Sequence, residues 1–188
     1  MPFNFINEDV KGSVVNTIDA LIGESDTRQL DLSTGSNDYL ELQGMIIEDE
    51  GVEKSPYQDS LNRWTIGVGH LIGDGSSPGE YKDKVLTDEE VSELFDKDFK
   101  KHLGWAQETP NWEKANRNQQ RAMVNLTFNM GKWWKKTKKD SNKLEWPLAV
   151  AALKEGEFDE VADQLVDSKW YTQVGDRSRR VVQDMRGY

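Results

Sequence analysis

Three side chains whose types and spacing suit bond-breaking chemistry lie close together: Glu50, Asp59 and Thr65, with eight residues between the first two and five between the last two. Two carboxyls and a hydroxyl fit a bond that must be protonated on one side and attacked on the other. Cleavage of a glycosidic bond is such a reaction: one carboxyl donates its proton to the departing oxygen, and a second, ionised one serves the attack on the ring carbon. The surroundings predict that division. Glu50 closes an apolar helical stretch, where partial desolvation favours the neutral acid, whereas Asp59 falls in a polar turn, where it stays charged. Thr65 follows on the next strand, its hydroxyl able to hold a water against Asp59.

These positions need elements to hold them. The segment YLELQGMIIEDEG (39–51) carries Leu42, Met45, Ile46 and Ile47 at helical spacing and stops at Gly51, so Glu50 occupies its last turn. Residues 57–70, YQDSLNRWTIGVGH, read as a short β-hairpin turning at 60–62, with Gly67 and Gly69 marking bulges or close backbone approach. Residues 71–85 are turn material. Thr87 with Glu90 is a capping box, and Val91, Leu94, Phe95, Asp98, His102 and Leu103 carry that helix to about Trp105. A helix from about Asn118 to Gly131 is apolar on nearly every side and is expected to be buried. Further helices are predicted near 147–155, 158–167 and 176–186, with a bend between the last two. The fold class is therefore α+β and predominantly helical: a small hairpin lobe, a linking helix and a larger helical lobe, with the cleft between lobes as the place for a site.

Composition narrows the function classes. The 188 residues are 36% hydrophobic and 31% charged, with seven Trp, six Phe and five Tyr to fill a core. There is no cysteine and there are only two histidines, which excludes thiol nucleophiles, disulfide scaffolds and Cys- or His-rich metal sites; neither metal nor cofactor is expected. No run reaches the roughly 20 apolar residues of a membrane span, and the acidic start does not resemble a signal peptide. The net charge of −10 argues against nucleic acid as partner. That charge is uneven: residues 1–42 hold eight acids and two bases, residues 43–188 hold 26 acids and 22 bases. The chain divides accordingly into an acidic leader, 1–42, and a body, 43–188. Within the leader, Val14, Val15, Ile18, Leu21 and Ile22 suggest a short amphipathic helix, and 24–38 has the composition of a linker or extended arm.

Each singled-out residue also has a plainer reading. Glu50 can be an ordinary helix-end glutamate, Asp59 an Asx-turn residue, and Thr65 a β-former. Trp133, Trp134 and Trp146 read as core rather than sugar platforms, and Arg179 and Arg180 as structure and surface charge. The stretch KWWKKTKKDSNK (132–143), six lysines and one aspartate, is either a solvated loop or an electrostatic contact for an anionic wall or the leader.

The residues themselves resemble a known family. Glu50, Asp59 and Thr65, embedded in DEG, Y-x-D and WTIGVGH, together with LTDEEVSELFDKD (86–98), NLTFNMG (125–131) and DSKWYTQVGDRSRRV (167–181), resemble the phage lysozymes of glycoside hydrolase family 24 over roughly residues 43–186. The resemblance implies the general acid at Glu50, the water-activating carboxylate at Asp59 and its positioning partner at Thr65, in an inverting reaction. It implies apolar cleft positions at Leu71 and Phe128 and polar ones at Asn129 and Gln164. It further implies an arginine, Arg177, near Glu50, whose charge the desolvation of Glu50 must outweigh, and an ion pair between His70 and Asp98.

The expected activity is hydrolysis of the β-1,4 bond between N-acetylmuramic acid and N-acetylglucosamine in peptidoglycan glycan strands. The biological setting would be an endolysin made in the host cytoplasm and released through a holin to reach the wall, or a lysozyme docked in the virion through residues 1–42. Two alternatives stand beside it, a non-catalytic wall-binding or virion module of the same fold and a lytic transglycosylase. The stretch from His70 to Thr87 is shorter than in the best-known family member, the chain is acidic where that member is basic, and the leader has no counterpart there.

Overall fold

The computed structural model describes residues 28–59, 61–135 and 146–188. The expected leader helix, and most of the lysine-rich stretch, lie outside the described residues. Among the described residues there are seven α-helices and one antiparallel three-stranded sheet, the α+β, mainly helical architecture expected.

Helix α1 (Asn37–Glu50) begins where the Ser36 side chain accepts from the Tyr39 N–H, and it ends at Gly51, whose φ of 73° a residue with a Cβ adopts poorly. Tyr39, Leu42 and Ile46 are its buried face. The sheet follows: β1 (Glu53–Gln58), β2 (Trp64–Gly67) and β3 (His70–Leu71), paired in that order. Sequence periodicity pointed to a two-stranded hairpin. The third strand is only two residues long, too short to show alternation, and is held by the register Thr65 to Leu71 and Ile66 to His70.

Helix α2 (Asp88–Gln107) starts at a capping box in which Thr87 and Glu90 satisfy each other's backbone N–H, and it buries Val91, Phe95, Phe99, Leu103 and Ala106 as one stripe. It runs from the sheet to the helical lobe and contacts both β2 and α3. Helix α3 (Arg117–Met130) opens with a second box, Asn116 with Gln119, and is buried along most of its length. Around it lie α4 (Pro147–Glu155), α5 (Phe158–Val166), α6 (Lys169–Gln173) and α7 (Asp176–Arg186). Helix α6 occupies the stretch expected to be a simple bend; Ser168 caps it, and Trp170 is buried within it.

The division expected at 42/43 falls inside α1. Residues 28–35, expected to be linker, pack on the start of α3: Leu30 is buried, its N–H donates to Gln120 Oε1, and the Arg28 carbonyl accepts from the Arg117 N–H, an otherwise unpaired donor in the first turn of α3. The polar composition of this arm hid a single anchoring leucine. Trp133 and Trp134 are buried and join Trp146 and Trp170 in an aromatic cluster of edge-on and tilted contacts. Among the described residues no helix is long and apolar enough to cross a membrane.

Charge ties the start of α1 to the helical lobe. Arg117 donates to Asp38 at 2.8 and 2.9 Å and pairs with Glu41, while Arg121 pairs with Glu41 at 3.0 Å and lies 3.6 Å from Asp184 on α7. Burial pushes the Asp184 carboxyl up to about 6 against the opposing pull of Arg121, Arg117 and Arg180, with Glu41 adding to the rise. The folded state therefore binds more protons than the unfolded one between about pH 4 and 6, and this residue's contribution to stability falls as pH rises through that window. Asp184→Asn removes the dependence. Unfolding curves should show the variant gaining on the wild type between pH 4 and 6, by on the order of 3 kcal/mol, with no further gain above pH 7; a pH-independent difference would contradict the assignment.

Candidate active site

The Glu50 side chain projects from the last turn of α1 and lies against the β2–β3 turn. A Cβ added to Gly69 would stand 3.4 Å from Glu50 Oε2, and Gly69 has a φ of 70°, so a glycine suits this close approach. Arg177, from the first turn of α7 and 8% exposed, donates through Nη1 to Glu50 Oε1 at 2.6 Å. The same guanidinium donates through Nε to Asn125 Oδ1 at 2.7 Å, and Asn125 Nδ2 donates to Asp49 Oδ2 at 2.8 Å. Arg180 completes the cluster by pairing with Asp49, which is only 4% exposed. Three of these five residues, Asn125, Asp49 and Arg180, were not singled out as site residues from sequence; Arg180 was read as structure and surface charge, and Asn125, a polar residue in the middle of an apolar helix, was the one local signal.

Strand register assembles the other half. Tyr57 pairs with Thr65 and Thr65 with Leu71, so these three side chains share one face of the sheet, while Ile66 and His70 share the opposite face, on which Ile66 is fully buried. Asp59, two residues beyond Tyr57, continues the ladder by donating its N–H to the Arg63 carbonyl. Its carboxylate is richly held. Oδ1 accepts from the N–H groups of Leu61 and Arg63 at 2.8 and 2.9 Å, and Oδ2 accepts from Arg63 Nε at 2.9 Å with Nη2 at 2.7 Å. Burial raises this carboxyl, but the Arg63 and Leu61 hydrogen bonds together outweigh it, and Asp59 sits below the usual carboxylate range. Asp59 is thus both the Asx-turn residue of the plainer reading and an ionised carboxylate on the face that carries Tyr57 and Thr65.

The Thr65 hydroxyl, buried with its residue, donates to the Arg63 carbonyl at 3.2 Å. Tyr57 feels the same environment: burial, then the charges of Glu50, Asp59 and Glu53, push its phenol up. His70 Nδ1 lies 2.6 Å from Asp98 Oδ2, which joins β3 to α2, the geometry the resemblance implied.

The remaining expected positions divide. Leu71 is exposed on the face that carries Thr65. Phe128 packs on Phe95 and on His102, which in turn meets Trp105 edge-on. Asn129 accepts from Trp170 Nε1 at 2.9 Å. Gln164 hydrogen-bonds Glu160 on its own helix, and among the described residues no hydrogen bond links it to Glu50, Asp59 or Thr65. Among the described residues no cluster of three or more His, Asp or Glu could hold a metal.

A small sheet joined by a long helix to a helical lobe, with one carboxyl at a helix end against the β2–β3 turn and a hydrogen-bonded aspartate on the sheet, is the arrangement of a lysozyme-type glycosidase. The family model for phage lysozyme matches residues 47–185, and the chain belongs to that family. It is 25% identical over 162 residues to the probable T4-type lysozyme 2 of Dictyostelium discoideum, covering 75% of this chain and 91% of that protein. It is 25% identical over 190 residues to the pre-baseplate central spike protein Gp5 of Enterobacteria phage T4, of which it spans 31%. Over 87 residues it is 34% identical to the SAR-endolysin of Haemophilus phage HP1, spanning 44% of it.

The Arg63 clamp has a measurable consequence. Arg63→Gln removes the cation on Oδ2, so the Asp59 carboxyl should titrate at higher pH in the variant, read directly by carboxyl carbon NMR. Titration at an unchanged pH would show that the backbone donors of the turn suffice.

Proposed function

We propose that this protein hydrolyses the β-1,4 bond between N-acetylmuramic acid and N-acetylglucosamine in bacterial peptidoglycan, with inversion at the anomeric carbon. Glu50 is the proton donor to the leaving oxygen, Asp59 the base that takes a proton from the attacking water, and Thr65 the group that positions that water. The observation that carries the reading is the pairing of opposites: one carboxyl fixed at a helix end by Arg177, and another kept ionised by the turn that presents it. An ionised aspartate beside a hydroxyl favours attack by water over formation of an anhydro product, and therefore hydrolysis over lytic transglycosylation. When the water's proton reaches Asp59, it displaces one of the two Arg63 contacts on Oδ2; the half-exposed Arg63 side chain is free to yield it.

Leu71 and Phe128 would line the glycan path, with Asn129 as a polar contact. The likeness to a central spike protein supports a virion setting, and the likeness to an endolysin supports release at lysis; residues 1–42 are the segment through which a virion protein would hold the enzyme.

The test compares the full chain with Glu50→Gln on purified peptidoglycan and weighs the products. The wild type should release fragments one water heavier than anhydro forms, and the variant should lose about 10³-fold in kcat while staying folded. A folded wild type that binds the wall without cutting it would make the protein a binding module; anhydro products would make it a transglycosylase.

A further inference from the structure

The reactive face of the sheet has an uneven supply of hydrogen-bond donors and acceptors. Asp59, ionised, only accepts, and its four acceptor positions already take Leu61, the Arg63 backbone and the two Arg63 side-chain nitrogens. Glu50 Oε1 takes Arg177. The Thr65 hydroxyl spends its hydrogen on the Arg63 carbonyl, so toward the face it offers a lone pair. Tyr57 stands directly across from Thr65 in the ladder and two residues before Asp59, and its hydroxyl has no hydrogen-bond partner among the described residues. Its side chain is half-buried, which fixes the ring and leaves the oxygen available.

A water poised to attack the anomeric carbon has two hydrogens and two lone pairs. One hydrogen goes to Asp59, the base, in place of one of the two Arg63 side-chain contacts on Oδ2, and the other to the lone pair of Thr65. One oxygen lone pair must point at the carbon, and the second needs a donor to fix the rotation of the molecule. We propose that the Tyr57 hydroxyl is that donor and is a further residue of the reaction, holding the attacking water in a three-point grip with Asp59 and Thr65; this rests on the hydrolase reading above.

The step balances without any other reagent. The water oxygen bonds to the anomeric carbon as the bond to the leaving sugar breaks, the Glu50 proton passes to the leaving oxygen, and the water's proton passes to Asp59. Tyr57 keeps its own proton throughout. The groups around it favour this: burial and the surrounding negative charges of Glu50, Asp59 and Glu53 all oppose the phenolate, so it stays a donor across the range in which Asp59 is ionised.

A water held at two points instead of three reaches the attacking geometry less often, while glycan binding through the rest of the cleft is untouched, so the effect falls on kcat rather than KM. The experiment measures kcat and KM on purified peptidoglycan for the full-length wild type, Tyr57→Phe and Tyr57→Leu, with thermal unfolding of each. Tyr57→Phe removes one oxygen and keeps the ring. It should lower kcat at least about tenfold with KM within about twofold and an unfolding temperature near that of the wild type. Tyr57→Leu should lose at least as much kcat. If Tyr57→Phe keeps wild-type kcat while Tyr57→Leu falls, the ring only packs and the proposal is overturned; a large rise in KM at constant kcat overturns it too, in favour of a sugar contact. An inactive wild type would overturn the hydrolase reading itself, and this inference with it.

Discussion

The site depends on one buried guanidinium. Arg177 grips Glu50 and Asn125 at once, and through Asn125 it reaches Asp49, so a single side chain fastens the end of α1 to α3 and α7. Removing a charge of this kind from water is costly, and it is tolerated only when every partner is in place; taking one partner away typically costs about 3 to 5 kcal/mol. The same constraint that stabilises the junction therefore fixes the position of the Glu50 carboxyl, the proposed proton donor. The value of the arginine lies in geometry: it sets where Glu50 stands relative to the sheet.

Seen along α1, this cluster has a counterpart at the other end of the helix. Asp38 and Glu41 meet Arg117 and Arg121 of α3, as Asp49 and Glu50 meet Arg177 and Arg180 of α7. A helix with a modest apolar face is thus riveted at both ends by acid–arginine contacts, and the residues before it, anchored by Leu30, cover the start of α3. The sheet is positioned separately, by the His70–Asp98 contact to α2 and by the buried Ile66. The two halves of the candidate site are consequently carried by different supports, and the close approach of Gly69 to Glu50 is where they meet.

Much of this was legible in the sequence because it is local. The capping box at Thr87 and Glu90, the stripe along α2 and the stop at Gly51 depend on residues within a few positions of each other. The Asx turn at Asp59 was legible for the same reason, since it is built from Leu61, Asn62 and Arg63. What the sequence hid was long-range or very short. Asn125 and Asp49 are distant in the chain from Arg177, and only a polar Asn125 inside an apolar helix hints at their meeting. Strand β3 and helix α6 are too brief to show a period. The arm at 28–35 looked like linker because one buried leucine among polar residues does not make a pattern. Tyr57 and Arg63 became visible only through strand register, which brings a tyrosine opposite a threonine and an arginine back onto an aspartate four residues before it.

In the proposed reaction water attacks from the sheet side while Glu50 protonates the leaving group from the helix side. The most direct measurement is the anomeric configuration of the newly formed reducing end, followed by proton NMR during the first turnovers on short peptidoglycan glycans. Attack opposite a β-linked leaving group predicts that the α-anomer appears first and the β-anomer grows in only by mutarotation. Early β-anomer would mean a retained configuration and a covalent or substrate-assisted intermediate, and would contradict the role given to Asp59 and Thr65.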